Sequence, residues 1–136
     1  MRGVVIYDLE IKSDERGWLS EVIKRDQLTS WSFGRFYVTT AYPGVIRGNH
    51  YHHHMYEWFC VIKGRGRLVL VDNETGERKE LLLGEEAPVT VRIPPGIAHG
   101  IENVGQELMY LLVYSDTPFQ ENAPDTHVKV VIDHDE

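Results

Sequence analysis

The chain has 136 residues, of which 42% are apolar, and its formal net charge at pH 7 is −7. This length fits one domain, and the apolar share is sufficient for a buried core. The negative charge and the lack of a lysine and arginine cluster argue against binding to nucleic acid or to an anionic membrane surface.

The sequence also bears on the cellular compartment. It contains no apolar run of about 20 residues that could span a membrane, and the N-terminus lacks the basic and apolar regions of a signal peptide. The single cysteine, Cys60, lies in an apolar stretch without a disulfide partner. We expect a buried thiol in a reducing environment, which predicts a cytoplasmic protein.

Short β-like stretches, separated by Gly and Pro turns, follow one another along the chain. We predict turns at 13–17, 43–44 and 72–76, and one helical turn within 25–34. The predicted strands are 3–11, 18–24, 35–42, a strand ending at the histidines near 50, 57–62, 67–71, 80–83, 87–93, 99–103, 108–114 and a terminal strand at 128–132. This pattern is typical of an all-β jelly-roll sandwich or barrel.

The stretch 44–64, GVIRGNHYHHHMYEWFCVIKG, concentrates side chains that bind metals. On a strand, His50 and His52 share one face while Tyr51 takes the other. We expect the chain to turn near residues 55–56, so that Glu57 begins the returning antiparallel strand. Two imidazoles and a carboxylate would then meet in one pocket, which favours a divalent cation.

A fourth ligand comes from the stretch 93–103, IPPGIAHGIEN. Its prolines fix φ and Gly96 permits a tight turn, so His99 enters the next strand in a defined orientation. Three histidines and one glutamate would leave one or two metal positions open to water or substrate.

Both stretches resemble the two motifs of the cupin superfamily. The first motif, G-x5-H-x-H-x4-E-x6-G, is matched at every position, and P-x-G-x2-H-x3-N is matched by residues 94–103. The glycine that the second motif has six residues before its proline is replaced by Pro88. The resemblance implies a single cupin domain over residues 1–136, folded as a double-stranded β-helix (a jelly-roll barrel), and a homodimer.

Residues 14–24, DERGWLSEVIK, resemble a segment of dTDP-4-dehydrorhamnose 3,5-epimerases, and RGNHY at 47–51 is similar to the stretch that carries their catalytic base. Over residues 8–131 the chain looks still more like the C-terminal cupin domain of the capsular UDP-N-acetyl-L-fucosamine-pathway reductase/epimerases. That likeness extends to the closing PDT at 124–126. Because no dinucleotide-binding G-x-G-x2-G is present, we expect a stand-alone cupin that relies on a separate reductase.

The resemblance implies a metal-binding epimerase that inverts C3, or C3 and C5, of a nucleotide-activated 4-keto-sugar in surface polysaccharide biosynthesis. The metal ligands would be His50, His52, Glu57 and His99. Zinc is the expected metal, although iron, manganese, nickel or copper would also suit this donor set. Bound metal would polarise the sugar carbonyl as a Lewis acid.

Two schemes for proton transfer stay open at this point. Without metal, His50 would be the base and Tyr110 or Tyr114 the acid. With metal, His50 is occupied, so His54, Tyr51 or Tyr114 would have to move protons.

Substrate contacts are expected from cationic and aromatic side chains. The diphosphate would be bound by Arg16, Arg35 and Arg47, and the base would stack on Trp18 or Trp58. An N-terminal segment exchanged within a dimer would carry Arg16 into the neighbouring site.

Other functions fit the same motifs. A sugar-nucleotide 3,4-ketoisomerase would use the same scaffold, and a non-catalytic sugar-binding cupin or a metal-dependent dioxygenase would share the metal ligands. Redox-active iron would distinguish the dioxygenase, and a binding module would exchange no substrate protons with solvent.

Overall fold

The structure, a computed structural model, describes residues 1–118, 120–122 and 124–133. Its strands are, in chain order, β1 Val5–Asp8, β2 Lys12–Asp14, β3 Gly17–Leu19, β4 Arg35–Ala41, β5 Ile46–Tyr51, β6 Glu57–Lys63, β7 Arg65–Asp72, β8 Arg78–Gly84, β9 Val89–Ile93, β10 Ile97–Asn103, β11 Met109–Ser115 and β12 His127–Val128. A single turn of 3-10 helix, Arg25–Gln27, follows β3. No helix among the described residues is long and apolar enough to cross a membrane.

Two antiparallel five-stranded sheets form the fold. Sheet I has the order β1-β9-β6-β11-β4, and sheet II has the order β12-β5-β10-β7-β8. The short strands β2 and β3 pair only with each other, as a hairpin apart from both sheets. Between the sheets lies the main core, whose buried members include Phe59, Leu68, Val91, Ile101 and Leu111. The predicted all-β cupin fold is confirmed.

The ends of the chain depart from the predicted strands. The strand predicted at 18–24 stops at Leu19, and the turn predicted at 13–17 is the tip and flanks of the β2–β3 hairpin. At the other end only His127 and Val128 pair with β5. Val131 and Ile132 are nevertheless buried against the outer face of sheet II, so the terminal segment packs on the barrel without continuing a strand.

One correction affects the site directly. The chain from β5 to β6 does not form the antiparallel hairpin that we expected, because β5 pairs with β10 and β12 in sheet II whereas β6 pairs with β9 and β11 in sheet I. Residues 52–56 therefore cross from one sheet to the other. As a result, Glu57 approaches the histidines across the interior of the barrel and not along one sheet.

Candidate metal centre

The pairing of β5 with β10 places His50 directly opposite His99. The register then shifts, because Gly100 pairs with Gly48 and leaves Asn49 as an extra residue. Gly48 and Asn49 have positive φ values of 87° and 59°, which glycine and asparagine tolerate better than other residues. Such a bulge re-aims the side chain that follows it. Here it aims His50 into the interior.

Glu57 enters the same space from sheet I. It opens β6, and strand alternation turns Glu57 and Phe59 inward. Its Oε1 atom lies 2.8 Å from His52 Nε2 and 3.1 Å from His99 Nε2. Together with His50, these residues offer one ligand atom each, all within 4.8 Å of one another. The four side chains predicted from the two motifs are therefore brought together.

Backbone carbonyls fix the orientation of two imidazoles. His52 Nδ1 donates to the Asp125 carbonyl over 2.5 Å, and His99 Nδ1 donates to the Ile97 carbonyl over 3.0 Å. In each ring the Nε2 atom then faces Glu57, and the buried Nε2 of His99 has the Glu57 carboxylate oxygen as its polar neighbour, at 3.1 Å. An imidazole whose other ring nitrogen donates to a backbone carbonyl in this way is a typical ligand of zinc and similar metals. The residues fit a divalent cation.

The charges of the cluster influence one another strongly. Burial, reinforced by the neighbouring imidazoles of His99 and His52, lowers the pKa of His50 to about 4. Burial also acts against the charged form of His52, but the hydrogen bond and charge of Glu57 outweigh it and raise the pKa of that imidazole. Burial would raise the pKa of Glu57, yet its contacts with His52 and His99 hold that pKa well below its usual range.

Asp125 anchors the segment that carries His52. Its carboxylate accepts hydrogen bonds from the backbone N–H groups of His53 and His54, each at 2.8 Å. Burial opposes ionisation of Asp125, but these two bonds and the nearby His52 hold its pKa below the ordinary value. A residue from the end of the chain thus fixes both the His52 ring and the backbone that follows it.

Two of the proposed proton carriers lie away from the cluster. Tyr51 points to the other face of β5, where its ring lies 5.3 Å from that of His127 and 5.4 Å from that of His53. His54 is exposed, and the centroid of its ring lies 6.2 Å from that of His53. The structure does not bring either side chain to the cluster of His50, His52, Glu57 and His99.

Tyr110 and Tyr114 share a face of β11, as expected, but it is the outer face. Their neighbours Met109, Leu111 and Val113 point inward and belong to the core. The hydroxyl of Tyr114 donates to the Ser32 carbonyl over 3.2 Å on the outside of sheet I. Alternation along the strand therefore separates both tyrosines from the cluster, and the role of acid that we assigned to them loses its geometric basis.

The three arginines expected at the substrate have different surroundings. Arg35 is half-buried on the inward face of β4. Arg47 is exposed on β5, and its Nε donates to the Thr40 carbonyl of β4 over 3.0 Å. Arg16 lies at the tip of the β2–β3 hairpin, where it pairs with Asp14.

Both tryptophans expected to stack on a base lie outside the barrel interior. Trp58 is 1% exposed on the outer face of sheet I, and its Nε1 donates to the Gln27 carbonyl over 3.2 Å. No ring face is therefore free for a nucleotide. Trp18 is 60% exposed on the hairpin and lines a cavity of about 450 Å³ together with Cys60 and Ile62.

Sequence reasoning missed Tyr37. It lies on β4 and packs its ring against the interior core, on the same face as Arg35 and Ala41. The guanidinium carbon of Arg35 lies 4.5 Å from its ring centroid. Alternation along β4 predicts this position, because a residue that is an even number of positions from Arg35 and Ala41 lies on the same face of the strand.

Two antiparallel sheets that enclose three histidines and one glutamate define a cupin with a candidate metal centre. The chain belongs to the polysaccharide biosynthesis C-terminal domain family, whose model matches residues 12–127.

Comparison with known proteins gives similar chains in bacteria and archaea. A UDP-2-acetamido-2,6-beta-L-arabino-hexul-4-ose reductase of Pseudomonas aeruginosa is 37% identical over 89% of this chain, which spans 31% of the reductase. A probable low-salt glycan biosynthesis epimerase of Haloferax volcanii is 29% identical over 92% of this chain and 85% of its own length. A dTDP sugar isomerase structure from Desulfovibrio desulfuricans shares the fold, with a TM-score of 0.84, 21% identity and coverage of 95% of this chain and 85% of the isomerase.

The Asp125 anchor can be tested by hydrogen exchange. In Asp125→Ala the backbone amides of His53 and His54 lose a charged acceptor, a contact that contributes about 1.5–3 kcal/mol. We expect both amides to exchange about tenfold faster or more, since 1.4 kcal/mol corresponds to a factor of ten.

Lys129→Ala is the matched control, because it breaks the contact of the terminal segment with Asn73 without touching residues 52–54. The anchor is present above the ordinary aspartate pKa and is lost as pH falls through the lowered value in the folded protein. Unchanged exchange in Asp125→Ala would show that the carboxylate does not hold this segment.

Proposed function

We propose that this chain is an epimerase that inverts C3, or C3 and C5, of a nucleotide-activated 4-keto-sugar used to build a surface polysaccharide. The observation that carries this proposal is the convergence of His50, His52, Glu57 and His99 inside the barrel, with all ligand atoms within 4.8 Å. Membership of the polysaccharide biosynthesis family supports the substrate class. The glycan epimerase relative, matched over 85% of its length, supports the reaction.

The reaction makes three chemical demands. A base removes the proton α to the carbonyl, the enolate oxygen is stabilised, and an acid returns a proton to the opposite face of the carbon. The interior of this barrel offers ionisable groups close to apolar walls, where electrostatic stabilisation of an enolate is strong.

The four ligands would hold a divalent metal, for which zinc is our proposal and iron, manganese or nickel are the other candidates. When bound, the metal would polarise the sugar carbonyl as a Lewis acid. A pKa of about 4 keeps the His50 imidazole neutral at physiological pH, as a metal ligand must be. The same neutral imidazole could accept a proton directly in a metal-free scheme.

Binding of the nucleotide diphosphate is assigned to cationic side chains near the junction of the two sheets. Arg47 of β5 and Arg35 of β4 belong to different sheets, and the bond from Arg47 to the Thr40 carbonyl shows that the two strands approach each other there. Guanidinium groups bind phosphate oxygens in a bidentate manner. We assign the reduction of any product to a separate cytoplasmic reductase, so the chain itself should not consume NADH or NADPH.

We also propose a homodimer in which the β2–β3 hairpin packs on the partner and contributes Arg16 to its site. The hairpin pairs with neither sheet, and its Trp18 and Leu19 are 60% and 62% exposed. An isolated two-stranded hairpin is at best marginally stable in water, so a packing partner would stabilise it.

The dimer predicts the sedimentation behaviour of a Trp18→Ser/Leu19→Ser variant. Each large apolar side chain buried at an interface contributes about 1.5–3 kcal/mol, so the dissociation constant should rise about 100-fold or more. Val130→Ser, which changes an exposed residue away from the hairpin, is the control. A wild-type protein that sediments as a monomer in analytical ultracentrifugation would refute the proposed dimer and the proposed role of Arg16.

Metal content tests the cluster. We expect near-stoichiometric zinc by plasma mass spectrometry in untagged protein, and its loss in His50→Ala/His99→Ala. His53→Ala/His54→Ala is the matched control, since it removes two nearby imidazoles that lie outside the cluster and should retain the metal. Iron in place of zinc would favour the dioxygenase, and a metal-free wild type would favour His50 as a free base.

The reaction itself is tested with UDP- and TDP-linked 4-keto-6-deoxyhexoses in D₂O, followed by NMR. We expect deuterium at C3 and an inverted product, both reduced at least about 100-fold in Glu57→Gln and unaffected in the exposed control Glu107→Gln. Movement of the carbonyl to C3 would identify a ketoisomerase. Binding of the nucleotide sugars without any exchange would identify a non-catalytic module.

A further inference from the structure

The side of the barrel opposite His50 and His99 contains a polar pair that the metal centre does not use. Both histidines belong to sheet II, whereas Arg35 and Tyr37 lie on β4, the edge strand of sheet I. The two residues point inward like Ala41 of the core, while Phe36 and Val38, which alternate with them, are each 54% exposed on the outside. The pair therefore faces the interior.

Strand register relates this pair to the cluster. Ser115 of β11 pairs with Glu57 on one side and with Arg35 on the other. In the next inward row, Val113 pairs with both Phe59 and Tyr37. Adjacent strands lie about 4.8 Å apart, so the backbone of Tyr37 is about 10 Å from that of β6, across one intervening strand. The pair therefore lies on the inner face of sheet I, two strands away from Glu57.

Contacts hold the Tyr37 ring in place. It packs against the core, and the Arg35 guanidinium carbon lies 4.5 Å from the ring centroid. Burial and the charge of Glu57 raise the pKa of Tyr37, while Arg35 acts in the opposite direction through its charge and a hydrogen bond. The phenol is thus protonated at neutral pH, and it lies within electrostatic reach of a metal ligand and of a cation that can stabilise its anion.

Building on the epimerase function proposed above, we propose that Tyr37 is the catalytic residue that donates the proton from the sheet I side, with Arg35 as its positioning residue. A base on the sheet II side, which in the metal-free scheme is His50, takes the proton from C3 of the 4-keto-sugar. Tyr37 then donates its hydroxyl proton to the opposite face of the same carbon, so that a C–H bond forms as the O–H bond breaks. Arg35 stabilises the phenolate until water returns the proton, and the base releases its own proton to water.

This assignment gives Arg35 a task different from diphosphate binding, and kinetics can separate the two. A residue that only binds the diphosphate affects KM, whereas one that acts through Tyr37 lowers kcat. Tyr37→Phe removes the hydroxyl and keeps the ring that packs on the core. Tyr42→Phe is the matched control, because Tyr42 follows the same strand and is 73% exposed.

The experiment uses the full chain with its metal, UDP- and TDP-linked 4-keto-6-deoxyhexoses, and NMR in D₂O. We expect Tyr37→Phe to lose inversion by about 100-fold or more, the usual contribution of a general acid, while deuterium exchange at C3 continues from the remaining base. Metal content should be unchanged. Tyr42→Phe should invert the sugar at the rate of the wild type.

Inversion by Tyr37→Phe within a few-fold of the wild-type rate would overturn the proposal. Loss of exchange together with inversion, in a variant that keeps its metal, would make Tyr37 the base and would also overturn it. If Tyr37→Phe does not fold, Arg35→Gln decides: a fall in kcat at unchanged KM supports the pair, and a rise in KM at unchanged kcat opposes it. A wild type that neither exchanges nor inverts refutes the proposed epimerase itself, and this assignment with it.

Discussion

The burial of the Glu57 carboxylate is the constraint on which the rest of the site depends. The residue is 3% exposed, and an ionised carboxylate in such a place is strongly unfavourable unless positive charge or hydrogen-bond donors compensate. His52 and His99 supply that compensation through one carboxylate oxygen, at 2.8 and 3.1 Å. A divalent cation would do so more completely, since it would be shared by all four ligands. The cluster is therefore built around a charge that it must neutralise.

Two local features position the histidines relative to Glu57. The bulge at Gly48 and Asn49 aims His50 inward, and the Asn49 side chain binds the backbone of Val131 and Ile132 near the end of the chain. Asp125 in turn holds the segment 52–54, because its carboxylate accepts hydrogen bonds from the backbone of His53 and His54. The C-terminal segment thus holds the stretch 49–54, which bears His50 and His52, through contacts at both of its ends. Residues distant in sequence from the two motifs therefore support the site.

The sequence was sufficient to predict the meeting of His50, His52, Glu57 and His99 and most strands of the barrel, because motif spacing and alternation depend on local geometry. It was not sufficient to decide which face of a strand points to the interior of the barrel. Alternation shows that Tyr110 and Tyr114 lie on the same side of β11 but not which side is the interior, and only the packing of Met109, Leu111 and Val113 decides that. Tyr37 was overlooked for the same reason.

The sequence was equally insufficient to predict which strands pair with each other. A turn between two strands suggests that they pair, yet residues 52–56 cross between sheets because β5 and β6 each find other partners. The histidines reach Glu57 either way, so the four side chains that were expected to meet do meet, although the local topology was predicted incorrectly. The difference matters for chemistry, since a hairpin would put every ionisable group on one side of the substrate, whereas two facing sheets put groups on both.

That distinction bears on which reaction the barrel supports. A 3,4-ketoisomerase can move a proton between neighbouring atoms along one face of the sugar, so a base on the sheet II side would be enough. Inversion at carbon requires groups on opposite faces. Among the described residues, Tyr37 is the inward-facing phenol of sheet I that lies within reach of the Glu57 charge and is paired with a cation. The case for epimerisation over ketoisomerisation therefore depends on that side chain more than on the metal, which either reaction could use to stabilise the same enolate.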